Sequence, residues 1–458
     1  MIPITSFSGL DVAVFGLGAS GNATALALME GRARVAAWDD SAGGREGAEK
    51  AGIPLVDLSR EDWARFAALI LAPGVPLTHP EPHWTVQKAM AAGVEVIGDI
   101  ELFCRERAAV CPESPFIAIT GTNGKSTTTA LIAHILREAG RDVQLGGNIG
   151  RAVLTLEPVT PDRFYVVECS SYQIDLAPTI RPSVGVLLNI TPDHLDRHGT
   201  IENYARVKER LIAGADKAVV VIDDDWTRAV AERHGSEDKT VLTASTLAPA
   251  EITFSGTTLY FRTGPIADLA GVPSLRGRHN GENACAAYGA LRLAGLSDGE
   301  IIPHMLTYPG LAHRMEQIGR FGKAVFINDS KATNAESTEK ALASWPGGIH
   351  IILGGKAKDG GIEMLRPYFP RIAKAYLIGA ATGMFAGTLR SVVQHESCGT
   401  MDVAVAKATE DALASGAAES VVLLSPACAS FDQYKNFEER GDDFRRLVAE
   451  EIARRTPA

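Results

Sequence analysis

The chain has 458 residues, too many for one ordinary core, so two to four domains are expected. Apolar residues make up 46% and charged residues 22%, a globular balance. The net charge of −10 and the lack of any basic run exclude a broad nucleic-acid footprint, while a small anionic substrate can still be held by local cations and helix N-termini. Six scattered cysteines with no C-x-x-C pair suggest a reduced, cytoplasmic protein, and no zinc pattern is present. The N-terminus lacks the basic start of a signal peptide. The most apolar early stretch, residues 12–29, contains three glycines, Ser20 and Asn22, so it suits a strand, turn and helix better than a membrane span.

Residues 11–107 alternate β-rich runs with helical stretches. "DVAVF" (11–15), "RVAAW" (34–38) and "ALILA" (68–72) read as buried strands, while "GNATALALMEG" and "HWTVQKAMAAG" read as helices closed by glycine. This punctuation predicts a parallel sheet covered by helices. Gly16-x-Gly18-x-x-Gly21 follows the first strand, and Asp39 and Asp40 end the second. Such glycines make a tight turn for a pyrophosphate, and a carboxylate there can reach ribose hydroxyls. Alone, the turn suits an NAD-dependent oxidoreductase, another nucleotide diphosphate, or no ligand. "APGVP" (72–76), with Gly74, can close over the same ligand or be a plain turn. The polar stretch "RERAAVCPESP" (105–115) is expected to be a linker.

A second α/β run begins with "FIAIT" (116–120) and continues through "FYVVE" (164–168), "VGVLLNI" (184–190) and "KAVVVI" (217–222). Residues 240–275 are rich in Thr, Ser, Gly and β-branched side chains and predict added antiparallel strands. After the first strand comes "GTNGKSTTT". The usual phosphate loop is G-x-x-x-x-G-K-[ST], and its first glycine would fall at Ile119. The physical requirements are nevertheless present. A strand delivers the loop, Gly121 and Gly124 bare the backbone, Lys125 can pair with phosphate oxygens, and Ser126 or Thr127 can reach Mg²⁺ at a helix N-terminus. A nucleotide-gated binding protein would need the same loop.

Glu168 ends the next strand, where phosphate-loop proteins commonly place a Mg²⁺ carboxylate. "LLNITPDHLDRHG" (187–199) offers His194 and His198 as ligands for a second metal ion, and the residues alone do not choose between them. Lys208 sits on an expected helix and reads as solvated. Asn280 and Asn283, at the start of the helix "NACAAYGALRLAG", can cap it or reach an adenine. "LTYPGLAHRME" (306–316), with Arg314, is the second expected linker. A third α/β run follows: "AVFIND" (324–329), "HIILGG" (350–355), "KAYLIG" (374–379), "SVVLLS" (420–425) and a C-terminal helix. Asp329, Lys331 and Thr333 follow its first strand and suit ribose, phosphate and a substrate carboxylate.

"TGTNGKST" resembles the ATP-binding loop of the Mur ligases and folylpolyglutamate synthetases, ATP-dependent enzymes that join an amino acid to a carboxylate. "GDIELFCRE" (98–106), "GGNIG" (146–150), the N-x-x-x-D-H-x-D stretch and "LLSPACASFDQYKNFEERGDDF" (423–444) carry the resemblance to Mur ligases in order over essentially the whole chain. The resemblance implies three α/β domains. Residues 1–104 would form a Rossmann-like UDP-substrate domain, residues 105–310 a P-loop ATPase-like domain with a mainly parallel sheet, and residues 311–458 a Rossmann-like amino-acid domain. It also implies a monomeric ligase that adds D-glutamate to UDP-N-acetylmuramoyl-L-alanine through an acyl phosphate, using ATP and Mg²⁺, in peptidoglycan synthesis.

Carried across, Gly121, Thr122, Asn123, Gly124, Lys125, Ser126, Thr127, Asn280, Asn283, Arg314, Asp329 and Lys331 would contact ATP. Gly18, Ala19, Ser20, Gly21, Asp40, Gly74 and Asn148 would hold the UDP substrate. Thr333, Lys358, Ser430 and the backbone of Phe437 would hold D-glutamate. Ser126, Glu168, His194 and a carbamylated Lys208 would bind metal, and Lys125, Glu168, His194 and Lys208 would carry the chemistry. The sequence departs from the family pattern at two positions: Lys356 stands where an acidic residue is often found, and Ser41 where a basic residue can contact uridine.

Overall fold

A computed structural model describes residues 1–235, 239–357 and 361–456. The chain divides into two compact units, Met1–Tyr308 and Pro309–Ala458. Among the described residues no helix is long and apolar enough to cross a membrane. All six cysteines are buried and unpaired.

The first unit contains two sheets. In one, Arg34–Trp38, Asp11–Phe15, Ala68–Leu71 and Glu95–Ile97 lie in that order, all parallel. Asp11–Phe15 is buried after its first residue, so it reads as a continuous apolar run rather than an alternation. The other sheet runs in the order Gly264–Asp268, Thr258–Phe261, Ile252–Ser255, Val241–Ser245, Lys217–Val221, Val184–Leu187, Phe116–Thr120, Arg163–Glu168, Asp142–Gly147. Phe116–Thr120 lies between Arg163–Glu168 and Val184–Leu187, with Ile119 opposite Glu168 and Thr120 opposite Leu187. The loops leaving these three strands therefore meet at the carboxyl edge of a parallel sheet, where α/β folds bind ligands.

Two expectations are corrected here. The antiparallel pairing expected over 240–275 holds from Ile252–Ser255 to Thr258–Phe261 and on to Gly264–Asp268, whereas Val241–Ser245 pairs parallel with both Lys217–Val221 and Ile252–Ser255. The Asp223 carboxylate takes Thr246 N at 3.0 Å together with the Ser245 and Thr246 hydroxyls, holding the start of the connection between Val241–Ser245 and Ile252–Ser255. The expected linker at 105–115 is helical as far as residue 110, within Asp99–Val110. Glu106 and Arg107 within it, and Glu101 earlier on the same helix, are buried with partners. Glu101 accepts Thr179 N at 2.9 Å, Glu106 accepts Thr5 N at 2.7 Å, and Arg107 donates to Ser114 O at 2.7 Å and Ser183 Oγ at 2.9 Å.

In the second unit, Glu316–Phe321, Ala324–Asn328, Ser420–Leu424, Ile349–Gly354, Ile372–Ile378 and His395–Gly399 form one sheet in that order. Only the first pairing is antiparallel. Val325, Ile327, Ile351 and Leu423 face the helix Ala335–Ala343, while Phe326, Ile352, Val422 and Leu424 face Met401–Ala414 and Phe437–Arg455. Both faces are covered, which accounts for the unbroken apolar strands.

Candidate active site

The buried strand Phe116–Thr120 delivers the loop 121–124 to the helix Lys125–Glu138. Gly124 has φ +84°, and a Cβ there would lie 2.2 Å from Asn283 Oδ1, so only glycine fits. Asn189 braces the loop. Its carbonyl accepts Thr122 N at 2.8 Å, its Oδ1 accepts Asn123 N at 2.8 Å, and its amide donates to Glu282 Oε1 at 2.8 Å. Burial pushes the Glu282 carboxyl up to about 7. Asn283 Oδ1 accepts Thr128 Oγ1 at 3.2 Å, and its amide donates to Asn280 Oδ1 at 3.2 Å, which joins the two expected adenine-side residues to the loop. Thr127 is half-buried in the helix's first turn.

Lys125 Nζ donates to the carbonyls of Gly121 and Thr122, both at 2.9 Å. Lys208 Nζ donates to the same Gly121 carbonyl at 2.8 Å. Lys208 is 1% exposed, which corrects the solvated reading. The helix Ile201–Gly214 buries Tyr204, Lys208 and Leu211 on one stripe, so the lysine lies on the apolar face. Burial first, then the charge of Lys125, holds the Lys208 amine well below the ordinary lysine range. Glu168 is buried at the end of its strand. Its Oε2 accepts Ser126 Oγ at 2.7 Å, its Oε1 accepts Asn148 Nδ2 at 2.8 Å, and its carbonyl accepts Asn148 N at 2.9 Å. Asn148, expected on the UDP substrate, is thus tied to the same carboxylate as Ser126.

The two histidines differ sharply. His194 has φ +52° and a half-exposed imidazole beside Asp193 and the Tyr172 ring. His198 is 2% exposed, hydrogen-bonded through Nε2 to Ser171 Oγ at 2.9 Å, and pushed down to about 4 by burial.

At the front turn, a Cβ on Gly21 would lie 1.7 Å from the Gly16 carbonyl, whereas one on Gly18 would meet nothing. Ala19 and Ser20 open the helix Ala19–Glu30. Asp39 accepts Leu17 N at 2.6 Å and so shapes the turn itself. Asp40 is left to His83 Nε2 and Trp84 Nε1, both at 3.2 Å. The Gly74 carbonyl accepts Arg197 Nη1 at 2.9 Å, tying the 72–76 turn to the histidine loop. Ser41, the departure beside uridine, caps the helix Ala42–Lys50 and donates to Asp39.

In the second unit, burial pushes Asp329 up to about 7, with Ser425 Oγ donating to it at 2.8 Å and Arg314 nearby. Lys331 Nζ lies 5.3 Å from the centre of the Phe437 ring. The Phe437 carbonyl accepts Ser330 Oγ at 2.8 Å. Ser430 is buried, and the backbone of Lys356 pairs with Ala429 beside it. Thr333 N donates to Lys331 O at 2.8 Å. Lys358 lies outside the described residues.

Residues 119–291 match the Mur ligase middle domain, and residues 313–428 match the Mur ligase glutamate ligase domain. Over 455 residues the chain is 58% identical to the UDP-N-acetylmuramoylalanine–D-glutamate ligase of Mesorhizobium japonicum, covering 98% of this chain and 97% of that protein. The chain belongs to the Mur ligase family. These are ATP-dependent ligases. The protein with the same printed name from Brucella abortus (strain 2308) is 57% identical over 454 residues, covering 98% of this Mur ligase and 97% of the relative. The UDP-N-acetylmuramate-alanine ligase of Thermotoga maritima shares the fold, with a TM-score of 0.57 at 17% identity over 98% of this chain and 100% of that one.

The residue-level expectations for this Mur ligase passed over three side chains. Asn189 braces the 121–124 loop although it opens the N-x-x-x-D-H-x-D stretch. Arg440 is fully buried in a charged-looking helix, donating to Ser330 Oγ and O and to Cys428 O at 2.8–3.0 Å. Asp99 is buried beneath the front turn. A local pattern could have exposed only Asn189, because the other two are defined by partners distant in sequence.

Proposed function

We propose that this Mur ligase joins D-glutamate to UDP-N-acetylmuramoyl-L-alanine with cleavage of ATP, in peptidoglycan precursor synthesis. The observation that carries the proposal is the likeness, over nearly the whole chain, to relatives whose printed names state that activity. Residues 1–104 take the UDP substrate through Gly18, Ala19, Ser20, Gly21, Asp40 and Gly74, with Asn148 of the next domain as a further contact. Residues 105–310 take ATP through 121–127, Asn280 and Asn283. Residues 311–458 take D-glutamate through Thr333, Ser430, the backbone of Phe437 and Lys358, and contribute Arg314, Asp329 and Lys331 as nucleotide contacts.

Mg²⁺ fits the donor set. Ser126 Oγ and the Glu168 carboxylate are hard oxygens already in contact. Among the described residues no group of three or more His, Cys, Asp or Glu side chains gathers into a dedicated metal cage. That suits an ion held by one or two protein oxygens together with phosphates and water. When bound, the ion neutralises charge on the phosphates. His194 and Lys208 complete the proposed metal arms. Burial holds the Lys208 amine well below the ordinary lysine range, and the neutral amine is the form that can add CO₂ and release a proton to become a carbamate.

The substrate carboxylate oxygen attacks the γ-phosphorus and ADP leaves, giving an acyl phosphate. The glutamate nitrogen then attacks the acyl carbon and phosphate leaves. Lys125 offsets the repulsion between carboxylate and triphosphate, and Asn189 holds the loop amides in place. The test is a mass-spectrometric product assay with ATP, UDP-N-acetylmuramoyl-L-alanine and a panel of amino acids. The expected result is an amide product with D-glutamate and phosphate release that needs both substrates. Equal phosphate release without either substrate contradicts coupled ligation.

A further inference from the structure

We infer that Asp99 is a positioning residue that sets the Gly18–Gly21 turn for its diphosphate ligand and ties that turn to the strand end bearing Glu168. The inference rests on the reading of this turn as the UDP-substrate site. Asp99 opens the helix Asp99–Val110 and is 4% exposed. Its Oδ2 accepts Ser20 Oγ at 2.7 Å and its Oδ1 accepts Ile100 N at 2.9 Å, while the Gln173 side chain also faces it. All three partners are neutral. Holding a buried carboxyl with neutral donors costs stability relative to an apolar side chain, so the arrangement is explained by what it positions.

Each partner leads to a different part of the site. Ser20 lies in the first turn of Ala19–Glu30, two residues past Gly18, whose missing side chain leaves open space for a ligand to approach. Its hydroxyl is fixed from beneath by Asp99. Gln173 lies on the short helix Ser171–Asp175, five residues past Glu168. Gln173 Oε1 accepts Ser170 N at 3.1 Å and Ser170 Oγ at 3.2 Å, which fixes the backbone as it leaves the strand. Gly98 N donates to Leu176 O at 2.8 Å, pinning the start of the Asp99 helix to the end of the Gln173 helix. A shift of Ser20 on ligand binding therefore passes through Asp99 to the segment that places Glu168.

The experiment measures separate KM values for the UDP substrate, ATP and D-glutamate in the full chain, for wild type, Ser20→Ala, Asp99→Ala, Asp99→Asn and the doubles Ser20→Ala/Asp99→Ala and Ser20→Ala/Asp99→Asn. Asp99→Ala is expected to raise KM for the UDP substrate about tenfold and for ATP about threefold, leaving D-glutamate within about twofold. Asp99→Asn keeps a polar group against Ser20 and is expected to stay within about threefold of wild type for every substrate. The Ser20→Ala/Asp99→Ala double is expected to be no worse than Asp99→Ala alone. Proportionate losses in all three KM values, Asp99→Asn as damaging as Asp99→Ala, or additive effects of the two positions would overturn the inference. If Asp99→Ala fails to fold, a rise of more than about threefold in KM for Asp99→Asn, or equal rises for all three substrates, would overturn it equally. A wild type with no turnover of the UDP substrate would overturn the substrate reading and the inference together, whereas normal wild-type turnover with any of the contrary patterns overturns the inference alone.

Discussion

The turn at 16–21 and the turn at 121–126 both carry a buried parallel strand into a helix N-terminus, yet they differ in the side chains that surround them. The first is held by acids: Asp39 takes Leu17 N and Asp99 takes Ser20 Oγ. The second is held by two lysines and one carboxylate suited to a metal ion. Lys125 and Lys208 share the Gly121 carbonyl, and Glu168 takes Ser126. Backbone amides and a helix N-terminus suffice for a diphosphate that only binds, but a phosphoryl group in transfer needs fixed positive charge as well. Glycine spacing therefore supplies the geometry of both turns, and the neighbouring strand ends decide whether chemistry follows.

The contrast makes graded predictions. Lys125→Ala should lower kcat by about 10²- to 10³-fold with little change in KM for the UDP substrate, because it removes a partner of the transferred group alone. Phosphate-release kinetics measure this, and a loss below about tenfold would put the two turns on the same footing. Gly124→Ala must both hold φ at +84° and displace Asn283, so a destabilisation of about 2 kcal/mol or more is expected in thermal unfolding, with loss of ATP affinity.

A smaller effect should separate the turns by pH. Glu282, behind the second turn, is raised by burial to about 7, so between roughly pH 4.5 and 7 the folded state binds more protons than the unfolded one. Its contribution to stability therefore falls as pH rises through that window. Glu282→Gln should flatten the pH dependence of stability there, read from Tm, by an amount on the order of 1–2 kcal/mol after allowance for partial exposure. Asp39, at the first turn, has the opposite sign. Burial raises it, but hydrogen bonds from Ser41 and Leu17 outweigh that and lower it, so its contribution is lost only in acid. Identical Tm profiles for wild type and Glu282→Gln would remove the distinction. The mildest change is Gly18→Ala. Its Cβ meets no atom, so stability should hold within about 0.5 kcal/mol in thermal unfolding, while KM for the UDP substrate rises by crowding the ligand's approach.

Both turns were legible in the sequence because each is a local device, a strand run followed by glycines and a helix start. The side chains that differentiate them were less so. Glu168 and Ser126 could be proposed from their position after strands, but Lys208 read as solvated until its place on the Tyr204–Leu211 stripe was seen. Residues 105–110 looked like a linker because their charges are compensated by Thr5, Ser114 and Ser183, none of them adjacent in sequence. Asp99 and Arg440 are likewise defined by tertiary partners. His194 and His198 could not be separated by spacing, and it is burial that distinguishes them.

The central claim is that the 121–126 turn holds ATP so that its terminal phosphoryl group passes to a substrate carboxylate. It is tested by turnover of UDP-N-acetylmuramoyl-L-alanine labelled with ¹⁸O in the alanine carboxylate, followed by mass spectrometry of the released phosphate. The account predicts one labelled oxygen in each phosphate released, carried over from the acyl phosphate. Unlabelled phosphate formed alongside the amide product would contradict it.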